Sequence, residues 1–142
     1  MSYKLIDHTA DLGINVFGAD LKDLFASAAC AMFDLITDTD RLEGSREHVL
    51  KVAGDDWPDL MVNWLREILY LWNGKEMLLK AVKILSLSEY ELIANLRFDN
   101  FVPDRHLVKI EIKAVTYHQI QVNKIQINSR PGGWEAKIIF DV

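Results

Sequence analysis

The chain has 142 residues, 50% of them hydrophobic and 26% charged, the balance of a soluble globular protein rather than a disordered or fibrous one. Its net charge of -5 argues against a broad phosphate-binding surface, because nucleic-acid binders draw affinity from clustered Lys and Arg. Apolar runs are interrupted by charge well short of the roughly 20 residues a membrane span needs, no basic segment precedes an apolar signal core, and the single Cys30 cannot form an internal disulfide, so the expectation is a cytoplasmic monomer of one domain, residues 1–142.

Residues 3–6 open a short strand, and the polar stretch Asp7-His8-Thr9-Ala10-Asp11 follows. Leu12, Ile14 and Val16 then alternate with Gly13, Asn15 and Phe17, the period of a half-buried strand, which places Asp11 and Asn15 on one face. Gly18 ends that strand and Asp20 caps a helix over 21–37, because Leu21, Leu24, Phe25, Ala28, Met32 and Leu35 recur at helical spacing. Cys30 falls on its polar side with no histidine near it in sequence, the pattern of an unreactive thiol.

Residues 45–53 read as a strand in which His48, Leu50 and Val52 alternate with Val49, Lys51 and Ala53. Asp55, Asp56 and Pro58 then signal a helix start, with carboxylates at the positive end of the helix dipole. The helix runs to about Asn73, with Gly74 as its stop. Its apolar arc (Trp57, Leu60, Met61, Trp64, Leu65, Ile68, Leu69, Leu71, Trp72) covers over half the circumference and leaves Asn63, Arg66, Glu67 and Tyr70 outside. Such a helix has to be covered on more than one side.

Beyond Met77 the pattern is strands alone: 78–85, 90–98, 107–116, 120–127 and 134–140, with Pro131-Gly132-Gly133 as the hairpin signal before the last. Strands and two helices followed by an antiparallel meander is the order of an α+β fold, a two-layer sandwich of mostly antiparallel sheet with two main helices.

Three polar clusters interrupt these patterns. In the last strand Trp134, Ala136, Ile138 and Phe140 share one face, so Asp141 joins Glu135, Lys137 and Ile139 on the other. Asp141 and the main-chain carboxylate of Val142 are adjacent, and Asp11 from a neighbouring strand would make three carboxylates, which repel unless protons or a cation neutralise them. Hard cations such as calcium or magnesium take such oxygen ligands, and three protein groups would leave positions open. Taken alone, Asp141 reads first as a solvated tail residue, and the Asp7/His8 cluster as a turn. In the third cluster, strict alternation through Ile110, Ile112 and Ala114 sends Thr116 and His118 to the core side and Lys113 to the other, so Lys113 and His118 cannot share a site without a bulge. Lys113 alone is a surface charge, and His118 a strand-end residue bonded to backbone.

With Asp7-His8-Thr9-Ala10-Asp11-Leu12-Gly13, Pro103-Asp104-Arg105-His106, Ile112-Lys113-Ala114-Val115-Thr116-Tyr117-His118 and Phe140-Asp141-Val142 in this order, the sequence resembles the archease family over its full length. The resemblance implies a small non-enzymatic activator of the RtcB-type RNA ligase, promoting its guanylylation and multiple turnover in tRNA splicing and RNA repair, with tRNA touched only indirectly. It further implies Asp11, Asp141 and Val142 as ligands of a divalent cation, calcium before magnesium or manganese, and Asp7, His8, Lys113 and His118 as functional or partner-contact residues. Two rivals come from other classes: a small metal-dependent hydrolase in which His8 or His118 moves protons, and a chaperone-like binding module using the broad apolar second helix.

Overall fold

A computed structural model describes residues 2–7 and 11–142. Its two long helices are α1 (Leu21–Ile36) and α2 (Trp57–Lys75), with a 3-10 turn at Thr39–Arg41 between them. The strands are β1 (Ser2–Asp7), β2 (Asp11–Gly18), β3 (Arg46–Ala53), β4 (Met77–Leu87), β5 (Glu91–Asn100), β6 (Ala114–Val115), β7 (Gln121–Ile127) and β8 (Arg130–Asp141).

Both helices begin with the same device. The Asp20 side chain accepts from the Asp23 N–H and the Asp56 side chain from the Asp59 N–H, each at 2.8 Å, as N-caps do. Asp23 and Asp59 in turn accept from the N–H groups of Ala19 and Asp55, which ties the incoming chain to the first turn. The far end of α2 corrects the expected stop at Gly74. The helix continues to Lys75 and ends on Glu76 in the left-handed region, φ 55°. Gly74 serves as a seat instead: a Cβ there would lie 2.7 Å from Cε2 of Tyr70.

The fold is an α+β sandwich of two antiparallel sheets. The larger runs β1-β2-β8-β6, with β7 also paired to the long β8, and the smaller runs β3-β5-β4. The five runs after Met77 therefore do not form one meander. β4 and β5 join β3, whereas β6, β7 and β8 join the N-terminal hairpin. Residues 101–113 cross between the sheets along the ends of both helices: Phe101 N–H donates to Glu76 O, Lys109 N–H to Ile36 O, and Thr37 Oγ1 to Leu107 O.

That crossing also corrects the strand expected over 107–116, of which only Ala114–Val115 pairs as a strand, together with an isolated bridge from Val108 to Thr37. Donors from α2 take the place of a ladder: Asn73 Nδ2 reaches Ile112 O and Arg66 Nε reaches Val115 O. Ile112 and Val115 are three apart and exposed by only 0% and 1%, so the strict alternation assumed for this run breaks between them. The last hairpin turns not at Pro131-Gly132-Gly133 but at Asn128 and Ser129, both at positive φ (52° and 65°), the conformation of a two-residue turn matched to strand twist. Gly132 and Gly133 lie within β8 as a bulge opposite Ile125, where the register slips.

Both helices contact strands of both sheets. α1 is buried on nearly every side, and Ala28, Ala29 and Ala31 let its neighbours approach closely. Beyond its first turn, where Leu21 and Lys22 also reach solvent, only a stripe through Asp23, Ala26, Cys30 and Asp34 is accessible. The wide apolar arc of α2 is covered as its composition demands, and its fully buried Trp64 donates Nε1–H to Phe25 O at 2.9 Å, tying the two helices together. Among the described residues no helix is long and apolar enough to cross a membrane.

Candidate functional site

The register of the larger sheet decides where the polar residues fall. β2 and β8 pair antiparallel with Asp11 directly opposite Asp141, then Leu12 opposite Phe140, and so on to Gly18 opposite Trp134. Ile14, Val16, Ala136, Ile138 and Phe140 are buried against the helices. Asp11 and Asp141, one step out of phase with them, therefore share the opposite face. Side chains directly opposite on antiparallel strands have Cβ atoms roughly 5 Å apart, so the pairing brings two carboxylates from the ends of the chain together.

The floor beside this pair is apolar. Gly13 faces Ile139 and Ile6 in the register, and a Cβ on Gly13 would come within 2.9 Å of Ile139 Cδ1 and 3.0 Å of Ile6 Cβ. The isoleucines close over the glycine, and Ile139 is fully buried on the outer face. Asp141 is exposed and Asp11 half-buried at this edge, and two carboxylates set side by side there favour a counter-cation. Among the described residues no three His, Cys, Asp or Glu side chains gather to hold a metal. The donor set of two carboxylates suits a hard cation only with further oxygens, and the expected third, the main chain of Val142, is one residue on.

Asp141 is also the register partner of Ala114, and its carbonyl accepts from the Lys113 N–H at 2.7 Å. Lys113 is thus fixed beside the acidic pair through its backbone, and this exposed residue lines a pocket of about 250 Å3 with Arg66, Tyr70 and Asn73 from α2. His118 is not brought to that pocket. It is exposed on the turn after β6, its N–H donating to Thr116 Oγ1 at 3.2 Å. Asp7 closes β1 opposite Leu12, and His8 lies outside the described residues. Cys30 is half-buried, and burial pushes its thiol up, away from the reactive thiolate.

Sequence reasoning missed what surrounds Lys113. Asn63, Arg66, Tyr70 and Asn73 recur at spacings of three, four and three on the solvent side of α2, a stripe visible in the sequence but read only as the helix's outer face. Tyr117 folds back over it. Its hydroxyl donates to Asp59 Oδ1 at 2.6 Å and its ring lies 4.6 Å from the Arg66 guanidinium. The bond to Asp59, then burial, raise the Tyr117 hydroxyl pKa, while the bonds from Tyr117 and the Asp55 N–H hold the Asp59 carboxyl below the usual range.

Comparison with known proteins identifies the family and the fold. The model of the archease protein family (MTH1598/TM1083) matches residues 3–142. Protein archease of Methanosarcina mazei is 32% identical over 144 residues, covering 99% of this chain and 95% of that protein, and protein archease of Methanopyrus kandleri is 34% identical with full coverage of both. The solution structure of Methanobacterium thermoautotrophicum protein 1598 superposes with a TM-score of 0.79 at 29% identity, covering 99% of this chain and 98% of that one. With the family model spanning both ends of the sheet that pairs Asp11 with Asp141, this chain belongs to the archease family.

Proposed function

We propose that this protein is a metal-binding, non-catalytic activator of an RtcB-type RNA ligase, promoting the ligase's guanylylation and multiple turnover in tRNA splicing and RNA repair. One observation carries the reading: the register that sets Asp11 against Asp141 at a sheet end, with Lys113 bonded to the Asp141 backbone. In this reading Asp11, Asp141 and the carboxylate of Val142 hold calcium, with magnesium or manganese as substitutes. Calcium takes six to eight oxygens, so three protein groups leave positions for water or for an oxygen of the partner. Bound there, the ion supplies positive charge at an otherwise acidic edge. Asp7, His8, Lys113 and His118 are assigned to partner contact, Lys113 as a cation facing nucleotide phosphates or an acidic residue of the ligase. The deficit of cations, 16 Lys and Arg against 21 Asp and Glu, favours contact with the ligase over direct hold of tRNA. The setting is cytoplasmic.

The test is a ligase assay under multiple-turnover conditions with and without this protein. Asp141→Ala is expected to abolish stimulation while the circular-dichroism spectrum and melting cooperativity stay unchanged. Full stimulation by a folded Asp141→Ala protein would remove the mechanism. The purified chain alone is expected to turn over neither GTP, RNA ends nor simple phosphoesters, whereas metal-dependent hydrolysis would favour an enzyme.

A further inference from the structure

We infer that Arg66 and Lys113 form a phosphoryl-binding pocket between α2 and β6, distinct from the Asp11–Asp141 pair. The pocket holds about 250 Å3, and its lining, which includes Arg66, Tyr70, Asn73, Lys113 and Ala114, contains no carboxylate among the described residues. Asp59, outside the lining, offsets part of the Arg66 charge, yet two cations and no acid in the lining stand out on a chain with five more acids than bases.

The two cations are set rather than merely exposed. Arg66 donates Nε–H to Val115 O at 3.0 Å and its guanidinium stacks 4.6 Å from the centre of the Tyr117 ring. Tyr117 is itself anchored by its hydroxyl to Asp59. Guanidinium carries five N–H donors; with Nε committed to the backbone, neither terminal NH2 group has a protein acceptor or ion pair among the described residues. A planar fork with both prongs open is the geometry that grips two oxygens of a tetrahedral oxyanion. Lys113 is pinned at its backbone by the bond to Asp141 O, and its ammonium likewise has no ion-pair partner among the described residues. Two like charges facing one pocket repel, and an anion of charge near minus two relieves both. A phosphoryl group fits that demand better than a single carboxylate, which offers half the charge and one face of oxygens. Because Lys113 belongs also to the ligase reading, the inference rests on that reading for its setting, and the test is run without a ligase.

Inorganic phosphate is titrated into the isotope-labelled chain at low ionic strength, and amide and Arg66 Nε–H signals are followed by NMR. Saturable shifts are expected at Arg66, Asn73, Lys113 and Ala114. Arg66→Gln and Lys113→Gln should each weaken binding about tenfold, the loss of one charge-assisted contact, with Arg66→Lys intermediate because it keeps the charge and loses the fork. A nucleoside triphosphate and a 5′-phosphorylated dinucleotide, titrated in parallel, separate free nucleotide from a nucleic-acid end as the source of the phosphoryl group. Shifts spread over unrelated lysines, or unaltered in the Arg66→Gln/Lys113→Gln double variant, overturn the inference. Since no ligase is present, failure here is separable from failure to stimulate ligation.

Discussion

A carboxylate without solvent has to be compensated donor by donor, and Asp99 is. It is only 8% exposed, yet it accepts from the N–H groups of Glu43 at 2.7 Å, Gly44 at 2.8 Å and Ser45 at 3.2 Å. Burial pushes its carboxyl up, but those three donors, with the charge of His106, outweigh it and hold the group below the usual carboxylate range. Asp99→Asn keeps the shape and removes one acceptor oxygen, leaving an N–H without a partner. The expected cost in urea denaturation at pH 7 is roughly 1.5–3 kcal/mol, the scale of a bond to a charged group. The sign of the pH dependence follows from the lowered value. Above the unfolded-state pKa the carboxylate is charged in both states and its contribution is complete; as pH falls below that value and through the folded one, the contribution is lost. The gap between the two proteins should therefore shrink from pH 7 to pH 3, and a constant gap would mean that the carboxylate's charge is not what the loop uses. None of this was legible in the sequence, because the donors lie over fifty residues away and Asp99 falls just past the strand expected over 90–98, with no pattern to mark it.

Among the elements, those set by local periodicity were legible and those set by distant partners were not. Leu12, Ile14 and Val16 on one strand and Ala136, Ile138 and Phe140 on another display their buried face directly, which is why the shared outer face of Asp11 and Asp141 could be expected before any register was known. Residues 107–116 carry the same β-branched composition, but their backbone groups are taken by Ile36, Thr37, Arg66 and Asn73, and composition cannot reveal partners on other elements. Pro131-Gly132-Gly133 misled for a related reason, since glycine marks both turns and bulges. Gly133 sits at φ 102°, and a Cβ on it would lie 2.5 Å from Gly18 O. Side chain and backbone strain coincide there, and the blocking atom is backbone that cannot swing away. Gly133→Ala is expected to destabilise by about 2–3 kcal/mol, whereas Gly132→Ala, at which no positive φ occurs, should cost much less. Equal losses in thermal melts would show that the bulge tolerates a side chain.

At the scale of the whole molecule, the first hairpin and the last strand close one sheet, and the closure sets two like charges face to face. Opposed like charges across an antiparallel pair cost about 0.2–1 kcal/mol. In chelator-treated protein, Asp141→Asn should therefore be at least as stable as the parent, because it removes the repulsion and keeps the shape. A cation that binds only the folded state adds RT ln(1 + [L]/Kd), about 2.7 kcal/mol at a hundredfold excess over Kd. For a chain of this length that is a rise in melting temperature of roughly 5–10 °C. Calcium should thus raise the parent's midpoint and leave Asp141→Asn nearly still, reversing the order of the two proteins between chelator and calcium. The reversal separates ligation from simple screening, since salt that merely screens the pair would bring the parent up to the variant and never past it. If both proteins move together in calcium, the cation binds elsewhere and the Asp11–Asp141 edge is a tolerated repulsion rather than a site.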